Sequence, residues 1–185
     1  MALTPFDARE TEIPGLLVMT VKQVSDDRGT VREFYRRSSY AGLDAHLGAG
    51  WAQLNVTHTR RGAIRGLHGE EMTKLVGVIS GRAFGAYVDA RPGSTSFGKV
   101  VTVPLEVGTQ VLVPEGVLNG FQATGSEGCE YLYGFDTEWR SDLPGKGVSP
   151  FDPDLAIPWP ITIDPKDRTL LSAKDAALPR LAELS

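Results

Sequence analysis

Lys74-Leu75-Val76-Gly77-Val78-Ile79, then Ser80-Gly81, then Arg82-Ala83-Phe84-Gly85-Ala86-Tyr87-Val88-Asp89 is the stretch that decides the fold. Two short apolar, β-prone runs flank a Ser-Gly turn, so the stretch reads as two consecutive strands. Outward from it the same grammar repeats. Strands are expected at Trp51–Thr59, Ala63–Leu67, Gly98–Val103, Thr109–Val113, Leu118–Ala123 and Cys129–Phe135, with Arg91-Pro92-Gly93-Ser94 as a further turn. Towards the N-terminus, Leu16–Val21 reads as a strand after Pro14-Gly15. Asp26-Asp27-Arg28-Gly29 turns the chain into a second strand, Thr30–Tyr35, to form a hairpin. Ser38–Leu47 is read as a short helix. Beyond Pro150 the chain is rich in Pro and Asp, and Ser172 is suited to N-cap a last helix with Asp175 in its first turn. Short strands at regular spacing without interleaved helices predict an all-β antiparallel sandwich or barrel, most simply a jelly roll with a few short peripheral helices.

Composition supports that reading. At 185 residues, 41% hydrophobic and 23% charged, the chain has the make-up of one soluble globular domain rather than a disordered or membrane-spanning one. Three parts are expected within residues 1–185: an N-terminal hairpin and short helix (1–50), a jelly-roll core (51–140), and an extended segment with a helix (141–185). The 21 Gly and 12 Pro are spread along the chain, as many tight turns require. A net charge of −4 disfavours nucleic acid as a partner, although a few clustered cations suffice for a small phosphorylated ligand. Cys129 is the only cysteine, so no internal disulfide forms and a cytoplasmic location is expected. Met1–Glu12 reads neither as a signal peptide nor as a membrane anchor.

The chemistry-bearing stretch is Arg65-Gly66-Leu67-His68, with Lys74 shortly after it. An imidazole titrates near neutrality, and flanking cations suit it to proton transfer on an anionic substrate. Alone, that pattern fits several chemistries, and an isolated histidine is also a common structural residue. A metal is not expected, because one histidine with Glu70 and Glu71 is poor material for a transition-metal site. His46 and His58 are assigned no role. Cys129 is read as buried and inert, and Asp89 with Arg91 and the Ser94–Gly98 run as structural.

Gly81 and Pro114–Asn119 resemble motifs of the cupins, a jelly-roll superfamily. The fuller resemblance is to the dTDP-4-dehydrorhamnose 3,5-epimerase family. It runs through Ile13-Pro14-Gly15-Leu16, Asp27-Arg28-Gly29 with Glu33, Gln53-Leu54-Asn55, Gly62–His68 and Lys74-Leu75-Val76. It continues through Val88–Arg91, Ser94–Gly98, Pro114–Phe121, Tyr131-Leu132-Tyr133, Asp154–Pro160 and Leu171–Asp175.

The resemblance implies a cupin-type jelly roll and a cofactor-independent epimerase of nucleotide-linked 4-keto-6-deoxy sugars in deoxysugar biosynthesis. It makes His68 the base, Asp175 the group that orients it, Lys74 the stabiliser of the O4 enolate and Tyr133 the acid on the opposite face. Arg65 and Arg28 would hold the diphosphate. Gln53, Asn55 and Glu33 would contact nucleotide or sugar, and Trp139 would stack on base or sugar. The implied partner is a nucleotide-diphosphate sugar, dTDP-linked, bound by a homodimer in which Arg28 and Glu33 act across the interface.

Three departures from the family pattern lie near the sugar: the short acidic Gly69–Thr73 loop, Asn119 in place of a histidine, whose amide still offers a donor towards the ketone oxygen, and Trp139 in place of a tyrosine. They point to an altered sugar or to inversion at a single carbon. A ketoisomerase of the same fold, a non-catalytic sugar-binding cupin and a metal-dependent oxygenase are the alternatives left open.

Overall fold

Largely buried strands form two facing sheets in the computed structural model, which describes residues 1–43 and 50–184. The strands are β1 (Ala2–Thr4), β2 (Asp7–Glu10), β3 (Leu17–Thr20), β4 (Gln23–Asp26), β5 (Gly29–Arg32), β6 (Gln53–Thr59) and β7 (Ile64–Glu70). They continue with β8 (Lys74–Gly81), β9 (Ala83–Asp89), β10 (Val100–Leu105), β11 (Thr109–Val113), β12 (Val117–Ala123), β13 (Cys129–Phe135) and β14 (Gly145–Gly147). Among the described residues, two short helices, α1 (Arg37–Tyr40) and α2 (Ala173–Ala176), complete the set with a 3-10 turn at Leu181–Glu183.

One sheet has the order β2-β3-β11-β8-β13-β6 and the other β10-β9-β12-β7-β14, while β1-β4-β5 forms a separate three-stranded sheet. Neighbouring strands within each sheet pair antiparallel, as β11 does with β3 and β8, and β12 with β7 and β9. This is the jelly roll of the cupins. Among the described residues no helix is long and apolar enough to cross a membrane.

The core lies between the two large sheets. Phe121 of β12 stacks on Tyr131 of β13 with ring centroids 3.8 Å apart and planes 5° from parallel. Val76, Val111, Tyr87, Val103 and Leu105 close around them. The outer face of the five-stranded sheet is also covered: Leu67, Ala86, Val88 and Leu118 meet Val148, Leu155 and Leu181 of the C-terminal segment. All seven residues of β12 are therefore buried, and its sequence lacks the alternation of a half-exposed strand. Hydrogen bonds pin the covering segment, from Trp159 Nε1 to the Pro150 carbonyl at 2.7 Å and from the Leu181 amide to Asp152 Oδ2 at 2.7 Å.

Two expected strands, Thr109–Val113 and Cys129–Phe135, have the expected bounds. The expected N-terminal hairpin is corrected. Its arms are β4 and β5, joined at the expected turn, whereas Leu17–Thr20 pairs with β2 and β11 in the six-stranded sheet. Gln23–Asp26 has a single apolar residue, Val24, so the preceding hydrophobic run Leu16–Val21 is the stronger strand signal. The expected helix over 38–47 forms only at Arg37–Tyr40 among the described residues, and its part from 44 onward lies outside them. Ser172 caps α2 as expected, its Oγ accepting from the Asp175 amide at 3.0 Å.

Candidate active site

Strict alternation along β7 would send Arg65 and His68 to opposite faces. The register prevents it: Phe121 faces Arg65 and Asn119 faces His68, so β7 carries one extra residue between them. Gly66 supplies that bulge with φ of +102°, and a Cβ there would lie 2.6 Å from the Asn119 carbonyl oxygen and 2.7 Å from Gly120 Cα. Only glycine fits so close a backbone crossing in that conformation. Beyond the bulge normal alternation resumes, and Glu70 follows His68 on the same face.

His68 Nε2 lies 2.7 Å from Asp175 Oδ1, joining β7 to the first turn of α2. Burial alone would raise the Asp175 pKa. Its hydrogen bond and charge interaction with His68, and those from Ser172 and the Gly66 amide, instead hold it below the ordinary carboxylate value. An ionised Asp175 accepts the Nε2 proton and leaves Nδ1 as the basic nitrogen.

Lys74, at the start of β8, is 4% exposed. Its ammonium pairs with Glu70 and donates to Asn119 Oδ1 at 3.0 Å and to the His68 carbonyl at 3.4 Å. Burial pulls its pKa below the ordinary lysine value, and Glu70 opposes that pull. Tyr133 comes from β13 of the other large sheet, its ring 4.9 Å from Tyr131 and 5.8 Å from Phe135. Burial raises its phenol. Although Tyr131 and Tyr133 share a strand face, only Tyr131 is fully enclosed in the core.

His68, Lys74 and Tyr133 line one cavity of about 490 Å³, open between the two sheets. Of the expected site residues, His68, Lys74, Tyr133, Arg65, Asn119, Asn55 and Trp139 all face it. A contiguous cavity of about 690 Å³ shares Arg65, His68 and Tyr133 and adds Asp175. Arg65 is fixed there by donation from Nε to Thr59 Oγ1 at 2.9 Å.

Gln53 is not among the residues that line either cavity. It accepts from the Trp139 amide at 2.8 Å and donates to Asn55 Oδ1 at 3.1 Å, so it supports two lining residues instead of lining the cavity. Arg28 and Glu33 are not brought to the site within one chain. Arg28 pairs with Asp26 at 2.6 Å, and Glu33 with Lys22 at 3.3 Å and Arg36 at 2.5 Å.

The sequence reading missed Glu70 as a partner of Lys74, and Arg60, Arg168 and Lys174 as cations lining the larger cavity. Lys174 was accessible through its place beside Asp175; Arg168 sits in an irregular segment that offers no pattern. Asp89 is structural, accepting from Arg91, Ser94 and Ser96. Cys129 is buried, and burial pushes its thiol up to about 11. Among the described residues no three His, Cys, Asp or Glu side chains are grouped as metal ligands.

The family profile described as dTDP-4-dehydrorhamnose 3,5-epimerase matches residues 10–183. A relative from Salmonella typhimurium named dTDP-4-dehydrorhamnose 3,5-epimerase is 35% identical, over 93% of this chain and 93% of its own. One from Streptomyces bikiniensis named dTDP-4-dehydro-6-deoxyglucose 3-epimerase is 33% identical, over 85% and 80%. The solved structure of an epimerase from Legionella pneumophila, in complex with dTDP-4-keto-L-rhamnose, superposes with a TM-score of 0.86 at 28% identity, covering 98% of this chain and 95% of that one.

Proposed function

Because the chain belongs to the dTDP-4-dehydrorhamnose 3,5-epimerase family, we propose that it inverts C3, C5 or both in a nucleotide-linked 4-keto-6-deoxy sugar. The observation that carries this reading is His68, held by Asp175 of α2, in one sheet's cavity wall with Tyr133 in the other's. A carbon held between them is open to a base on one face and an acid on the other.

His68 removes the proton alpha to the ketone, and the C–H electron pair moves into a C=C bond while O4 becomes an enolate. Lys74 and Asn119 stabilise that charge. The phenol of Tyr133 then delivers its proton to the opposite face, the enolate collapses back to the ketone, and the configuration is inverted. The imidazolium and phenolate are reset by proton exchange with solvent. Arg65 holds the diphosphate, a task suited to a guanidinium fork, with the neighbouring Arg60, Arg168 and Lys174 adding positive field. Asn55 and Trp139 contact the nucleotide or sugar, and Gln53 holds both in place.

The chain acts as a cytoplasmic homodimer, with Arg28 and Glu33 completing the partner's site. In support, the three-stranded sheet carries Leu3 and Val31 at 64% and 73% exposure, apolar groups that a partner would cover. Mixing two inactive variants, R28A and H68A, should restore activity if Arg28 works across the interface.

The deciding experiment is incubation with dTDP-4-dehydro-6-deoxyglucose in D2O, followed by NMR. Deuterium at an inverted C3 or C5 with wild type, and none with His68→Ala, is expected. Deuterium at C3 alone would align the chain with the 3-epimerase relative. Unchanged exchange in the His68 variant removes the assigned base.

A further inference from the structure

The Lys74 ammonium has three N–H bonds and, in this structure, three acceptors: a Glu70 carboxylate oxygen, Asn119 Oδ1 and the His68 carbonyl. This contact also orients Asn119. Its oxygen accepts from Lys74, so its NH2 is the opposite limb of the amide, and among the described residues that NH2 has no acceptor. Asn119 lines the cavity together with His68 and Tyr133.

We propose that Glu70 is a positioning residue of the proton-transfer site: it anchors Lys74 behind Asn119, so that Asn119 Nδ2, and not the ammonium, donates to the ketone oxygen of the sugar. The proposal rests on the epimerase reading above and assigns Glu70, a residue without a part in it. An ammonium whose donors are all taken acts at one remove, polarising the amide it bonds, and the amide meets the developing oxyanion. Glu70 reaches Lys74 because it follows His68 by two residues past the Gly66 bulge. The neighbouring titratable and charged groups are Glu70, His68 and Arg65 from β7, Tyr133 from β13 and Asp136 just beyond it. Asp136 accepts from the Thr73 amide at 3.1 Å. The strands β11 and β12 bring no charged group.

The test uses the full chain, with Lys74 labelled at its ε-carbon and its NMR signal assigned by loss in Lys74→Arg. Glu70→Gln keeps the shape and removes the charge. Lys74 should then titrate at lower pH than in wild type, and the alkaline limb of kcat for dTDP-4-dehydro-6-deoxyglucose should move down with it. At neutral pH kcat should fall about tenfold with KM held. Asn119→Ala should lower kcat about a hundredfold. If the glutamine variant misfolds, Glu70→Asp keeps the charge but shortens the reach; it should preserve the Lys74 titration while lowering kcat. Wild-type kcat and alkaline limb in the glutamine variant, or full activity in Asn119→Ala, overturns the proposal. Absence of any exchange by wild type would sink the epimerase reading instead. The Lys74 titration would still decide Glu70's hold on it, a lowered midpoint upholding that hold and an unmoved one overturning it.

Discussion

Asp175 Oδ1 lies 2.7 Å from His68 Nε2 although 107 residues separate them in the chain. The pairing requires α2 to dock against β7, and the Ser172 cap sets the angle at which the Asp175 side chain leaves the helix. Asp175→Asn keeps the volume but puts an amide where an ionised acceptor stood, so the imidazole loses the tautomer that leaves Nδ1 basic. We expect kcat to fall by about 10³–10⁴ with KM little changed. Steady-state kinetics on purified variants of wild-type thermal stability check this, and a loss confined to KM would contradict it.

Gly66 makes a second prediction, one about geometry. Its added residue in β7 brings Arg65 and His68 to one cavity, and a Cβ has no room against the Asn119 carbonyl. Gly66→Ala should cost about 3 kcal/mol of stability through strain and displaced backbone. Activity should fall further than the folded fraction, since both Arg65 and His68 move. Denaturant melts compared with kinetics at low temperature separate the two effects.

Much of this was readable from the sequence where burial writes a pattern. The apolar runs at Thr109–Val113 and Cys129–Phe135 sit between turn residues and gave their strands directly. The strands Ala2–Thr4, Asp7–Glu10 and Gln23–Asp26 are held by backbone pairing, with little burial, so their side chains announce nothing. Gly145–Gly147 is Gly-Lys-Gly, with no apolar side chain to announce a strand. At the site, His68 with its flanking cations was visible locally. Its partnership with Asp175 came only through family resemblance, because no spacing rule spans that separation. Glu70 reads in the sequence only as part of the acidic Gly69–Thr73 loop, and the β7–β8 turn is what brings it to Lys74.

The Asp89 cluster predicts a pH dependence of stability. Burial by itself would raise this carboxyl's pKa, but hydrogen bonds from Arg91, Ser96 and Ser94 outweigh that and hold it well below its ordinary value of 3.8. A carboxyl depressed in the folded state contributes its full stability above its unfolded value and loses it as pH falls towards the folded one. Asp89→Asn should therefore cost about 3 kcal/mol at pH 7. The gap between variant and wild type should narrow below about pH 4. Urea denaturation across pH measures both, and a gap that stays constant into acid would contradict the assignment.

The central claim is that two groups from opposite sheets, His68 and Tyr133, work on opposite faces of one carbon. Tyr133→Phe in D2O with dTDP-4-dehydro-6-deoxyglucose tests it most directly. With the phenol gone, His68 should still remove the proton and return deuterium to the same face. NMR should then show deuterium in recovered substrate of unchanged configuration and little inverted product. Inverted product formed by Tyr133→Phe at the wild-type rate would contradict the account.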